Sequence, residues 1–307
     1  MRIATFNLQN LRLRRVDGQE RLDGAVDGDT RQAERSLTLD LADRWQTARI
    51  IARAHADILA LQEVFDTAAL DHLCDRFLGA VGAPDYPSRI CRSGNDGRGL
   101  NVAAMARRAP DRVQSHASAT GRDLDLDDLP GALRDAPVFR RDCLELDYGS
   151  LSVFVCHFKA PYPDATRAHA VREAEARAVR RIVERRFDRP DEDRWIILGD
   201  FNEPAPGQEP GPSALAPLTS GFAVDLMDRR EPGDRWTYEV ADSHLQSRPD
   251  RILVSPRLAR DYPDTRPGII RAGMGLGRDD VAAPRRPHAS DHALVHADFP
   301  GLLDPLS

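Results

Sequence analysis

Trp195-Ile196-Ile197-Leu198-Gly199-Asp200-Phe201-Asn202-Glu203 is the stretch on which the reading of this sequence turns. Consecutive apolar residues make a run short enough for a buried strand, and an acid and an amide follow at its exit. Gly199 allows another backbone to approach closely just before the acid. An Asp that accepts a proton or orients water, followed shortly by a neutral amide donor, suits attack on a negatively charged phosphorus centre. Asp200 would prepare the nucleophile and Asn202 would stabilise the oxygens. Taken alone, the segment is equally an ordinary turn, since Gly, Asp and Asn all favour turns after strands. The turn loses ground because other extended runs also end on polar groups: Thr5-Phe6-Asn7, Leu61-Gln62-Glu63, Val155-Cys156-His157 and Ala289-Ser290-Asp291-His292. Convergence of these ends at one edge is the economical explanation.

Working outward, strands are expected over residues 3–6, 58–62, 101–106, 143–146, 151–156, 195–198, 251–254 and 293–297. Helical spacing predicts helices over 44–54, 67–78 and 167–187, the last marked by Val171, Ala174, Ala178 and Ile182. Its opposite face carries Arg172, Glu173, Arg180, Glu184 and Arg185, which reads as a solvated surface laced with local ion pairs. Residues 16–43, rich in Asp, Arg and Gly, and 203–217, rich in Pro and Gly, read as loops. Loops so placed commonly carry specificity on a rigid scaffold. There is no internal repeat, low-complexity block or long linker, so residues 1–307 are expected to form a single catalytic domain.

Composition narrows the class. With 307 residues, 41% hydrophobic and 30% charged, the chain can bury a large core. No apolar run is long enough to span a bilayer and the mean hydropathy is −0.49, so no membrane insertion is expected. Met1-Arg2 runs directly into Ile3-Ala4-Thr5-Phe6 without the features of a secretory signal, which points to a cytoplasmic location. Cys74, Cys91, Cys143 and Cys156 lack CxxC spacing and read as reduced core residues. A net charge of −6 supplies no global basic field for nucleic acid, although a metal-dependent site concentrates carboxylates without touching the binding surface. The one lysine among 43 basic residues is Lys159, two residues after His157, which makes it a candidate for function.

The motifs TFN at 5–7, LQEV at 61–64, RGLNVAAMAR at 98–107, CHFKA at 156–160, LGDFNE at 198–203, RPDRILVS at 248–255 and SDHALV at 290–295 occur in this order. Together they resemble the endonuclease/exonuclease/phosphatase superfamily, the fold of pancreatic deoxyribonuclease and the apurinic endonucleases, over nearly the whole chain. The resemblance implies a four-layered α/β/β/α sandwich, two mixed sheets packed face to face with helices outside. It also implies a phosphoester site at one end of the sheets and a divalent cation, usually Mg2+, with Mn2+ or Ca2+ as alternatives. Carried over by position, Glu63 looks like the principal metal ligand, helped by Asn7 and Asp291, a choice that hard oxygen donors suit. His292 looks like a general base whose tautomer Asp250 fixes, and Asp200 and Asn202 orient the nucleophile. His157 would donate a hydrogen bond or proton from the other side of the phosphorus, with Lys159 adding charge nearby. The implied reaction is single-step in-line hydrolysis, with either His292 or Asp200 activating water.

Plainer readings exist for single residues. A lone His at a strand end is usually structural, and Asp250 could merely pair with Arg248 or Arg251. His288, His292 and His296 offer a rival zinc cluster at helical intervals, but the alternation after His292 reads as a strand. Nucleic acid is the favoured substrate; for a nuclease, His157 matches the histidine of pancreatic-type deoxyribonucleases rather than the tyrosine of apurinic endonucleases, which disfavours abasic-site repair. A small-molecule or lipid phosphoester is the alternative. Of Arg92, Arg98, Arg107 and Arg108 near the expected rim, Arg98 is taken as substrate-binding. A catalytically dead module that holds a phosphorylated partner is a further alternative, against which the intact set of acids, amides and imidazoles argues.

Overall fold

The computed structural model describes residues 1–26, 37–240, 243–275 and 286–303. Its layers follow from strict alternation along the strands. In the strand Arg194–Asp200, Ile196 and Leu198 enter one core while Trp195 and Ile197 enter another. Ile58 and Ala60 part in the same way from Leu59 and Leu61, and Val153 and Val155 from Phe154 and Cys156. Strands buried on both faces need apolar residues at every position, which explains the continuous runs in the sequence.

These strands form two six-stranded mixed sheets. The first orders Gly268–Ile270, Leu294–Asp298, Arg2–Leu11, Ile58–Val64, Asn101–Ala106 and Ser88–Cys91. The second orders Val224–Asp225, Asp250–Val254, Arg194–Asp200, Leu151–His157, Cys143–Tyr148 and Arg112–Ser115. The central pair of each sheet is parallel and its flanks are antiparallel. One core lies between the sheets. A second lies between the first sheet and the helices Leu37–Ala54 and Thr67–Leu73, and a third between the second sheet and the helix Ala165–Arg186. Three cores separate four layers, the expected α/β/β/α sandwich.

Departures from expectation have local causes. Residues 16–43 are not one loop. Leu13–Val16 pairs with Gln19–Leu22 across Asp17-Gly18, both at positive φ (52° and 79°), an Asp-Gly hairpin turn. The helix expected from residue 44 starts at Leu37, while residues 27–36 lie outside the described part. Arg172, assigned to a solvated helix face, is instead fully buried, its Nη2 donating to both carboxylate oxygens of Glu209 at 3.0 Å. That ion pair ties the 203–215 loop to the helix, and spacing alone could not show that a loop folds over this face. No described helix is long and apolar enough to cross a membrane.

Register brings the polar strand ends together. Asp200 lies opposite His157 on one side and Asp250 on the other, while Asn7 lies opposite Gln62, next to Glu63. Gly199 is needed for this: its φ is +148°, and a Cβ there would sit 1.9 Å from the Cys156 carbonyl oxygen. Gly199→Ala should therefore cost at least about 3 kcal/mol of unfolding free energy by urea denaturation. A loss under about 1 kcal/mol would contradict the packing described.

Candidate active site

Asp200 ends its strand with its side chain only 1% exposed. Its Oδ2 accepts from Asn7 Nδ2 at 3.0 Å and lies 3.5 Å from His157 Nε2 and 3.8 Å from His292 Nε2, while Oδ1 accepts from the Asn202 N–H at 2.8 Å. Asn7 belongs to the first sheet and Asp200 to the second, so the amide bridges the sandwich. The same Asn7 nitrogen reaches Glu63 Oε1 at 3.3 Å, and the Asn7 oxygen accepts from the Gln9 N–H at 2.9 Å.

On the far side, His292 Nδ1 pairs with Asp250 Oδ2 at 2.9 Å, and that oxygen also accepts from the Thr237 hydroxyl at 2.6 Å. The plainer partners of Asp250 are engaged elsewhere, Arg248 with Asp228, and Arg251 with Asp225 and Glu203. Tyr238 packs on the His292 ring with centroids 4.9 Å apart. Glu63, Arg98, His157, Lys159, Asp200, Asn202, Asp291 and His292 line one cavity of about 820 Å³. Asn7 and Asp250 lie buried behind it, 1% and 0% exposed.

Backbone strain collects at this edge. Gln9, Asn10, Glu63 and Asn202 all have left-handed φ, between 44° and 61°. Both first-sheet strands slip register here, between Asn7 and Leu11 and between Gln62 and Val64, so Glu63 sits on a bulge that turns its side chain into the cavity. Left-handed conformations at non-glycine residues persist only where the surroundings enforce them. At Gln9 and Asn10 the enforcing group is Arg44, whose fully buried guanidinium donates to the carbonyls of Leu8, Gln9, Asn10, Asp23 and Gly24 at 2.6–3.1 Å. The loop so held donates its Asn10 N–H to Glu63 Oε2 at 3.0 Å, and the Gln9 side chain accepts from the Asp291 N–H at 3.1 Å.

Charge states follow from these contacts. Burial alone would lower the His292 pKa, but the carboxylates of Asp250, Asp200 and Asp291 outweigh it and hold the imidazole well above its ordinary value. Burial raises Asp200, against the charge of His292. Burial, then the Arg141 cation, push His157 well below its ordinary value, so it is a neutral donor. Ligand atoms of Asp200, Asp250 and His292 lie within 4.8 Å of one another. The His292–Asp250 pair at 2.9 Å ties this group together as an ion-pair network. The three histidines of the rival zinc reading have separate neighbours: His288 contacts Gln9, His292 contacts Asp250, and His296 packs under Gly268.

A sequence profile of the endonuclease/exonuclease/phosphatase family matches residues 4–292. The chain belongs to that family. As a member, it is a phosphoester hydrolase of divalent-metal-dependent type. No curated protein matches the sequence significantly. Among solved structures, it resembles a 3'-5' exonuclease from Neisseria meningitidis at 20% identity and TM-score 0.56, covering 97% of this chain and 99% of that one. It also resembles a mannosyl-6-phosphatase from Bacteroides thetaiotaomicron at 16% and 0.57, covering 97% and 98%. A family protein from Leptotrichia buccalis is similar at 16% and 0.58, with the same coverage. At such identities the likeness establishes the fold.

Some features of this family member escaped the sequence reading. Arg141 lines the cavity while only 3% exposed, donating to the Phe158 carbonyl at 2.9 Å and lying 3.2 Å from Asp96. Arg98 also lines it, but is already paired with Asp96. Asp96, Arg140, Arg141 and Tyr238 sit outside the quoted strand ends, and the burial of Arg44 has no signature in a helix otherwise charged on its open face. Glu175 is the most unexpected. Fully buried on the long helix, it accepts from the Arg140 N–H at 2.9 Å and the Lys159 N–H at 2.8 Å. Burial pushes its carboxyl up to about 7, against an ordinary 4.5. The folded protein thus keeps a proton that the unfolded chain releases, so stability is complete below about pH 4.5 and declines as pH rises to about 7. Relative to Glu175→Gln, the wild type should lose about 3 kcal/mol of unfolding free energy across that window in urea titrations. A gap independent of pH would refute the assignment.

Proposed function

We propose that this chain is a divalent-metal-dependent phosphodiesterase, a nuclease that cleaves nucleic acid by in-line attack of activated water, and that residues 1–307 serve it as one catalytic domain. The observation that carries this is the meeting of Asn7, His157, Asp200 and His292 around one buried carboxylate oxygen at the wall of a cavity. The neighbour described as a 3'-5' exonuclease supports a nucleic-acid substrate, and the one described as a mannosyl-6-phosphatase keeps a small phosphoester as the alternative.

The donor set fits a hard cation. Glu63 and Asp291 present carboxylates to the same cavity, and Asn7 holds Glu63 at its nitrogen. Glu63 and Asp291, with Asn7 in support, would hold Mg2+, or Mn2+ or Ca2+ in its place. When bound, the ion supplies neutralisation of charge developing on the phosphoryl oxygens. The protein's own groups supply the rest. Asp200, made more basic by burial, orients the water and accepts its proton. Asp250 keeps the His292 imidazole charged, and that charge faces the phosphoryl oxygens. Asn202 spends one amide hydrogen on the Phe158 carbonyl at 3.0 Å, which fixes the amide and leaves its second donor for substrate. His157, neutral, donates from the opposite side, and Lys159, Arg98 and Arg141 line the wall that meets the rest of the substrate.

Asp200→Asn and His292→Ala should each lower kcat/KM for magnesium-dependent hydrolysis by about 10³-fold or more with the circular dichroism spectrum unchanged. Chelation should abolish turnover and Mg2+ should restore it. The assay compares plasmid DNA, single strands, RNA, bis-nitrophenyl phosphate and sugar and inositol phosphates. Full activity in either variant would refute the site, and turnover confined to the small esters would select the alternative substrate.

A further inference from the structure

The wall of the cavity formed by residues 95–98, 140–141 and 159–163 is charged out of balance. Arg98, Arg140, Arg141 and Lys159 line it together with a single carboxylate, Asp96. Asp96 is shared, bound by Arg98 through Nε and Nη2 at 3.2 and 3.1 Å and approached by Arg141 Nε at 3.2 Å. The remaining cations find no such partner. Lys159 Nζ donates to the neutral carbonyls of Ala160 and Tyr162. The Arg140 guanidinium has no hydrogen bond or ion pair among the described residues.

The backbone that carries these cations is held in place. Glu175 takes the Arg140 N–H on one carboxylate oxygen and the Lys159 N–H on the other, so a single buried side chain fastens both segments side by side. Arg172, one helical turn before it, donates to the Lys159 carbonyl at 3.1 Å. Crowding has a cost: burial, then Arg141, lower the Lys159 ammonium below its ordinary value, and an anion set between the cations would relieve it.

A phosphodiester carries one negative charge, and the groups around Asp200 already face it. We propose that Arg140 and Lys159 form a second phosphate subsite, which takes the phosphate neighbouring the scissile one. The substrate is then a molecule with phosphates in series, as along a nucleic-acid strand, rather than an isolated phosphoester. The inference rests on the phosphodiesterase reading above and extends the same cavity.

Isothermal titration of the full chain in Ca2+ with thymidine 3',5'-bisphosphate and thymidine 5'-monophosphate tests it, because these probes differ by one phosphate a sugar away. The bisphosphate should bind wild type roughly tenfold or more tightly than the monophosphate. In Arg140→Gln and in Lys159→Gln that ratio should fall toward one, while Arg140→Lys, which keeps the charge, should retain most of it. A ratio near one in wild type, or one unchanged in both glutamine variants, overturns the subsite. Hydrolysis is scored separately. Turnover without a bisphosphate preference sinks the subsite alone, whereas a preference without turnover of any phosphodiester sinks the enzymatic reading and leaves the subsite standing.

Discussion

Burying the Asp200 carboxylate is the constraint around which the sandwich is organised. A carboxylate removed from water costs several kcal/mol unless charges and donors replace its hydration. Here the replacements come from separate parts of the fold: Asn7 from one sheet, His157 and Asn202 from the other, and His292 from the segment that re-enters the first sheet. Asn7 and His292 reach Asp200 only if the sheets pack at one distance and in one register. The inter-sheet core, with Ile3, Ile58, Val153, Ile196 and Ile252, therefore serves the chemistry by fixing the gap that Asn7 spans.

Arg44 imposes a similar discipline on the other half of the site. Its carbonyl partners lie in turns that cannot join a sheet ladder, and buried backbone acceptors without donors would cost more than the turns can supply. Burial lowers the guanidinium to a pKa of about 10, which leaves it charged at neutral pH. One cation thus stabilises the left-handed residues Gln9 and Asn10, which in turn orient Glu63 and the backbone of Asp291. Strain at the site is sustained by hydrogen bonding some distance from the cavity.

Much of this was legible in the sequence, for a physical reason. Strands buried on both faces are largely apolar, so polar residues gathered toward the end of a run mark the edge of the core, and Asn7, Glu63, His157 and Asp200 stand at such edges. The pairing of Asp250 with His292 was legible only through the family resemblance, because nothing local distinguishes that Asp from a partner of Arg251. What could not be read is tertiary charge burial. Arg172 occupies a helical position read as facing solvent, whereas Arg44 and Glu175 lie on the apolar faces of their helices, and the loop segments that supply the partners of all three come from distant parts of the sequence. The hairpin at residues 13–22 was legible from Asp17-Gly18, but a charged stretch obscured it.

The claim that residues from both sheets build one cation-dependent phosphate site is tested most directly by crystals of the protein soaked with Mn2+ and inorganic phosphate. Anomalous density for manganese is expected at the carboxylates of Glu63 and Asp291, with phosphate in the same cavity between His157 and His292. Manganese bound elsewhere with that cavity empty, or phosphate found only on the outer helices, would contradict it.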